Sequence, residues 1–176
     1  LWPGLVQAMV YNANRQHERI RLFEVGRVFK GTLDNIDQHR QIGGLIYGSQ
    51  YAEQWSQKPR NVDFFDIKAD VEALLKLGGG QITYEAESHP ALHPGQSARV
   101  YKNGKAIGWL GALHPKLNKP LDIDGKVYVF ELSLSDVVET DVPEFETLSK
   151  FPALRRDLAL LVDDAITAVS YTHLRA

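Results

Sequence analysis

Asn103 and Gly104 stand between two alternating runs, Arg99 to Lys102 and Lys105 to Leu110. An Asn-Gly pair in that setting closes a two-residue hairpin, because both residues accept positive φ and the turn's twist matches that of the strands. The middle of the chain is therefore an antiparallel pair. Three His-Pro pairs frame it, at His89, His93 and His114. Proline disfavours helix in the residue before it, so these pairs mark turns.

The flanking sequence supplies partners for such a pair. Leu5, Val6, Met9 and Val10 share one helical face after Trp2-Pro3, predicting a helix from Leu5 to Asn14. Ile20 to Phe29 predicts a strand with both faces partly buried, and Ile42 to Tyr47 a second. The polar stretch Gly31 to Gln41 between them reads as a loop. Tyr51 to Arg60 reads as a connection. Asp63 is placed to cap a helix carrying Phe64, Ile67, Val71, Leu74 and Leu75, ended by Gly78 to Gly80. Gln81 to Glu87 predicts a strand before the hairpin, His114 to Pro120 a short helical turn, and Lys126 to Leu134 a further strand. Ser135 to Glu139 starts a turn or short helix. Asp141 to Pro152, with two prolines, reads as a linker, and Arg155 to Val162 as a last strand, with Asp163 or Asp164 placed to cap a helix after it. Strands and helices do not alternate as βαβ units, so the class is α+β: an antiparallel sheet with flanking helices.

Few residues combine into chemistry. Four positions separate His89 from His93, but the intervening prolines prevent a helix that would align them, and no carboxylate cluster completes a metal site. These imidazoles read as turn residues bonding to backbone. Gly78 to Gly80 follows a helix instead of opening one, so it offers no phosphate cradle. Gly108 and Gly111 read as points of close backbone approach. Ser88 and Ser97 lack a nucleophile motif, and Asp63 with Asp66 reads as capping. No catalytic, cofactor-binding or metal-ligating residue is assigned.

The stretch from His89 to Pro115 resembles a signature of the beta subunits of bacterial-type phenylalanine–tRNA ligases. Four other stretches are similar to that family in the same order: Leu1 to Leu5 with Asn12 to Gln16, Arg21 to Phe29, Val62 to Lys68, and Phe130-Glu131. Phe151 to Asp163 resembles the opening strand of the family's ferredoxin-like anticodon-binding domain. The resemblance covers residues 1–168. It implies a class II synthetase core-like module over residues 1–140, a linker over 141–152 and a truncated ferredoxin-like start over 153–168. Arg155 and Arg156 are the candidate tRNA-binding residues.

A working class II core needs an arginine in its second motif and a glycine-rich third motif ending in arginine, which offset charge on the ATP α-phosphate. Arg27 lies in a strand comparable to the second motif, and no third motif occurs. The resemblance thus implies a non-catalytic module. It packs against a catalytic alpha subunit in a heterotetramer of two alpha and two beta chains, within an enzyme that uses ATP and magnesium. The helix from Leu5 to Val10 is the first candidate for that interface. The competing class is a lipoate or biotin ligase of the same superfold, or a free-standing interaction module built on it. The ligase would need a glycine-rich loop and a dedicated lysine that are not found.

Composition is consistent with this reading. The chain of 176 residues has 44% hydrophobic residues and a net charge of −2 from 20 Lys and Arg against 22 Asp and Glu. That balance lacks the excess cation of a sequence-independent nucleic-acid binder, so protein is the expected main partner. The absence of cysteine excludes disulfides and cysteine-ligated zinc. No apolar run reaches the length of a membrane span, and the cytoplasm is the expected compartment. The chain opens on Leu1 without a leader, as if cut from a longer one. Val169 to Ala176 matches nothing in the family and reads as translated sequencing-adapter sequence.

Overall fold

The computed structural model describes residues 1–32, 35–140 and position 161. The chain divides into two units, Leu1–Val142 and Pro143–Ala176. The linker, the last strand, Arg155, Arg156, the Asp163–Asp164 cap and the closing octapeptide lie outside the described residues.

The first unit is α+β. Six strands, β1 (Arg19–Thr32), β2 (Asn35–Gly48), β3 (Ile82–Ala86), β4 (Leu92–Lys102), β5 (Lys105–Leu113) and β6 (Val127–Ser133), form one sheet. Its order is β1-β2-β6-β5-β4-β3, and every neighbouring pair is antiparallel. Helices α2 (Phe64–Leu75) and α3 (Leu134–Val138) contribute to the core on one face. Helix α1 (Trp2–Ala13) contributes to the core on the other. Strand β6 is central and feeds both: Tyr128, Phe130 and Leu132 join the α2 core, Val127 and Val129 the α1 core. This is the period-2 alternation of a strand covered on both sides.

The Asn103–Gly104 turn takes φ of 50° and 77°, the double positive φ that a type I′ connection requires. Asn103 also ties the turn to the next strand over. Its N–H donates to the Gln81 carbonyl at 2.8 Å, and its side-chain oxygen accepts from the Gln81 N–H at 2.8 Å. Gly108 and Gly111 are points of close approach, since a Cβ at Gly108 would lie 2.1 Å from the Glu131 carbonyl oxygen.

Helix α2 begins at a reciprocal capping box. Asp63 accepts from the Phe65 and Asp66 N–H groups, and Asp66 accepts from the Asp63 N–H at 2.8 Å. Its buried stripe is Ile67, Val71 and Leu75, each contributing roughly 1.5–3 kcal/mol by burial. No helix among the described residues is long and apolar enough to cross a membrane.

Three expectations need correction. The described residues of the stretch from Gly31 to Gln41 are strand instead of loop: β2 starts at Asn35 and pairs residue for residue with β1 from Thr32 back to Arg19. It is polar because it extends past the helix-covered sheet, where no core selects apolar residues. Strand β1 is not half-buried on both faces, since Phe23, Val25 and Phe29 lie exposed. Finally, the apolar face of α1 is not free: Leu5, Val6 and Met9 are buried against the sheet of the same unit.

Candidate protein interface

Strands β1 and β2 have fourteen residues each, but β6 pairs with β2 only from Gln41 to Tyr47. Beyond that register the two strands pair only with each other and form a two-stranded arm. Directly paired residues of an antiparallel ladder point to the same face. Phe23 pairs with Gly44, Val25 with Ile42, Arg27 with Arg40, Phe29 with Gln38 and Gly31 with Ile36. One face therefore carries Phe23 and Val25 at the sheet margin, where β2 still pairs with β6, and runs out onto the arm as Arg27 and Phe29 beside Ile36, Gln38 and Arg40. At its base this face continues into Ile42 and Ile46, which are buried in the α2 core.

The arm face is apolar and uncovered among the described residues. Phe23 is 76% exposed, Phe29 61%, Ile36 51% and Val25 45%. Scattered exposed apolar residues are ordinary, but four on one face of the β1–β2 pair make a stripe of the kind that marks binding surfaces. A groove of about 350 Å³ continues the stripe toward α2, lined by Arg21, Phe23, Ile42, Ile67, Leu74 and Phe130. Arg21 is held there by an ion pair to Asp70 of α2 and a 3.0 Å hydrogen bond to the Gln50 side chain. Arg27 and Arg40 face each other across the ladder, and neither forms an ion pair among the described residues.

The other residues singled out in sequence have structural tasks. Nδ1 of His89, His93 and His114 accepts the backbone N–H two residues on, from Ala91 at 3.2 Å, Gly95 at 3.0 Å and Lys116 at 3.1 Å. All three His-Pro pairs are thus the same turn device, and that ring nitrogen is occupied in each. His89 also lies between Trp2 and Trp109, with ring centroids 5.2 and 5.0 Å away. The Arg99 guanidinium sits 4.6 Å over the Trp109 ring. Burial, then Arg99, lowers the His89 pKa below the usual 6.5, against a smaller pull upward from Glu131. Ser97 donates to the Glu87 carbonyl at 2.6 Å. No group of three or more metal-ligating side chains occurs among the described residues.

Sequence reasoning missed two features. The apolar residues at odd positions of β1 were visible, but their lack of cover was not. Lys102 also escaped notice. Its ammonium is buried and donates to the carbonyls of Asp136 at 2.8 Å, Glu139 at 2.6 Å and Gly78 at 3.4 Å, joining α3 to the loop after α2.

These features define an α+β domain with an exposed apolar stripe on one face of its β1–β2 hairpin. The chain belongs to the phenylalanyl-tRNA synthetase beta chain CLM domain family, which matches residues 1–134. It is 54% identical over 166 residues to a phenylalanine–tRNA ligase beta subunit of Nitrosococcus oceani, covering 93% of this chain and 21% of the relative. The same subunit of Pseudomonas syringae pv. tomato is 50% identical over 170 residues, covering 96% and 22%. That of Hahella chejuensis is 48% identical over 164 residues, covering 93% and 21%. The chain spans about a fifth of the length of the curated relatives it matches.

Proposed function

We propose that this chain acts within phenylalanine–tRNA ligase as a non-catalytic, class II core-like module of the beta subunit. It supports assembly with the catalytic alpha subunit, in a heterotetramer of two alpha and two beta chains that charges tRNA with phenylalanine in the cytoplasm. ATP and magnesium serve the alpha subunit's chemistry. Residues 153–168 open a ferredoxin-like domain that contacts tRNA, with Arg155 and Arg156 at its start.

The observation that carries the reading is the stripe of Phe23, Val25, Phe29 and Ile36 on the β1–β2 hairpin, uncovered among the described residues. A stripe of this kind suits a module whose task is to hold a partner chain. Its setting is compatible with a catalytic-like core: the sheet is wholly antiparallel, and Ser97 and the three histidines are engaged with backbone groups. The test is ATP–pyrophosphate exchange with phenylalanine, run on the purified chain alone and on its co-purified mixture with an alpha subunit. Co-purification with exchange only in the mixture is the expected result. Exchange by the chain alone, or failure to bind alpha, rejects the reading.

A further inference from the structure

We propose that Arg27 and Arg40 form a carboxylate-binding latch, and that the segment of the alpha subunit docking on the β1–β2 arm carries acidic side chains between apolar ones. This deepens the assembly reading above and rests on it. Strand residues advance about 3.3 Å each, so Val25 and Phe29 stand roughly 13 Å apart with Arg27 midway between them. Arg40 is directly opposite Arg27 on the same face. Along β2, the buried Ile42 is the neighbour of Arg40 on one side, and Gln38 and then Ile36 follow on the other. A partner that buries the apolar stripe therefore cannot avoid covering both guanidiniums.

Covering them without compensation is unfavourable. Like charges directly opposite in a ladder already repel, and buried charges must be paired. Arginine presents a planar fork that takes a carboxylate in two hydrogen bonds while its stem lies along apolar surface. Nearer the base, Arg21 is already matched by Asp70, and Arg19 donates to the Gln50 carbonyl at 3.2 Å. The unmatched pair thus specifies its complement as one or two carboxylates set within an apolar surface.

The same charges argue against two other occupants. A second copy of the arm would bring four guanidiniums together. Single-stranded RNA gains from aromatic platforms under successive bases, but the two rings here, Phe23 and Phe29, stand roughly 20 Å apart along β1 with aliphatic Val25 between them. The arm also carries Asp37, exposed beside His39, and the chain's net charge is −2.

The experiment uses the full-length beta subunit and its alpha partner. Association is measured by sedimentation at several salt concentrations for wild type, R27E/R40E and F23D, with circular dichroism to verify folding. The latch predicts that R27E/R40E weakens association about 100-fold and flattens its salt dependence. A separate R27K variant treated with a carbodiimide should yield an amide cross-link from Lys to an Asp or Glu of the alpha subunit, identified by mass spectrometry. If F23D weakens assembly while R27E/R40E does not and no cross-link to alpha forms, the latch is wrong and the interface stands. If F23D also leaves assembly unchanged, the arm is not the interface and both readings of it fail. Loss of tRNA binding in R27E/R40E with assembly intact overturns the latch in favour of RNA.

Discussion

Gly104 offers the cleanest quantitative test of the fold, because its cost on substitution has a single source. The residue takes φ of 77°, and a Cβ built there meets nothing within 4 Å. Steric packing therefore drops out, and the penalty is that of holding an L-residue in the left-handed region. That penalty is roughly 1–2 kcal/mol for alanine, with stiffening of the unfolded chain returning about 0.4–1. Gly104→Ala should then destabilise by about 1 kcal/mol. Gly104→Val should reach about 2, since a β-branched side chain tolerates positive φ poorly, while Gly104→Asn should stay within about 0.5 of wild type. In a domain of this size 1 kcal/mol is about 2–4 °C in Tm. Gly108→Ala is the contrast: its Cβ would collide with the Glu131 carbonyl, so β5 and β6 must separate, costing about 3 kcal/mol. Urea denaturation of the 176-residue chain followed by circular dichroism measures all four. An Ala variant as stable as wild type, or an Asn variant as damaged as Val, would refute the turn geometry as the source.

Lys102→Met keeps the aliphatic stem but strips three carbonyls of their donor, and should cost about 2–4 kcal/mol in the same urea assay. An unchanged midpoint would show those carbonyls to be satisfied otherwise. The lowered His89 pKa makes the folded state bind its proton more weakly than the unfolded chain does. Its contribution is full above 6.5 and declines as pH falls from there through the folded value. His89→Asn can retain an acceptor for the Ala91 N–H without titrating, so it should flatten that part of the stability–pH curve; an unchanged slope counts against the assignment. Asp66, lowered chiefly by its hydrogen bond to Arg60, loses its contribution as pH drops below 3.8 through its folded value. Asp66→Asn should cost about 1–2 kcal/mol at neutral pH and little in acid, and equal loss at both would reject the ion-pair account.

The parts of the fold that sequence revealed are those set by local chemistry. Asn103–Gly104, the Asp63 cap and the His-Pro turns each rest on a side chain answering its own or nearby backbone, and such rules operate within a few residues. The stripe Ile67, Val71 and Leu75 was legible for a related reason, as period 3.6 on a capped helix. Lys102 was not, because its partners lie 24, 34 and 37 positions away. Nothing in the run from Tyr101 to Lys105 separates a buried ammonium from a solvated one.

The arm exposes a second limit on sequence reading, and it bears on function. Phe23, Val25 and Phe29 carry the same alternation as a core strand, so pattern alone places them inside. They are outside because β1 is the edge strand and the α2 core takes none of its residues, and Phe29 lies further out still, past Gln41, where β6 stops pairing. The polar alternation of Asn35 to Arg40 meanwhile looks like a loop, yet it is the strand that backs the apolar stripe. Both errors have one origin. An alternating pattern records that a face is buried in the working assembly, without recording which chain does the burying. An apolar strand paired with a polar one at a sheet edge is thus what the assembly proposed above would leave in a single chain. On the assembly proposed above, the twin guanidiniums set within it call for a carboxylate from the partner.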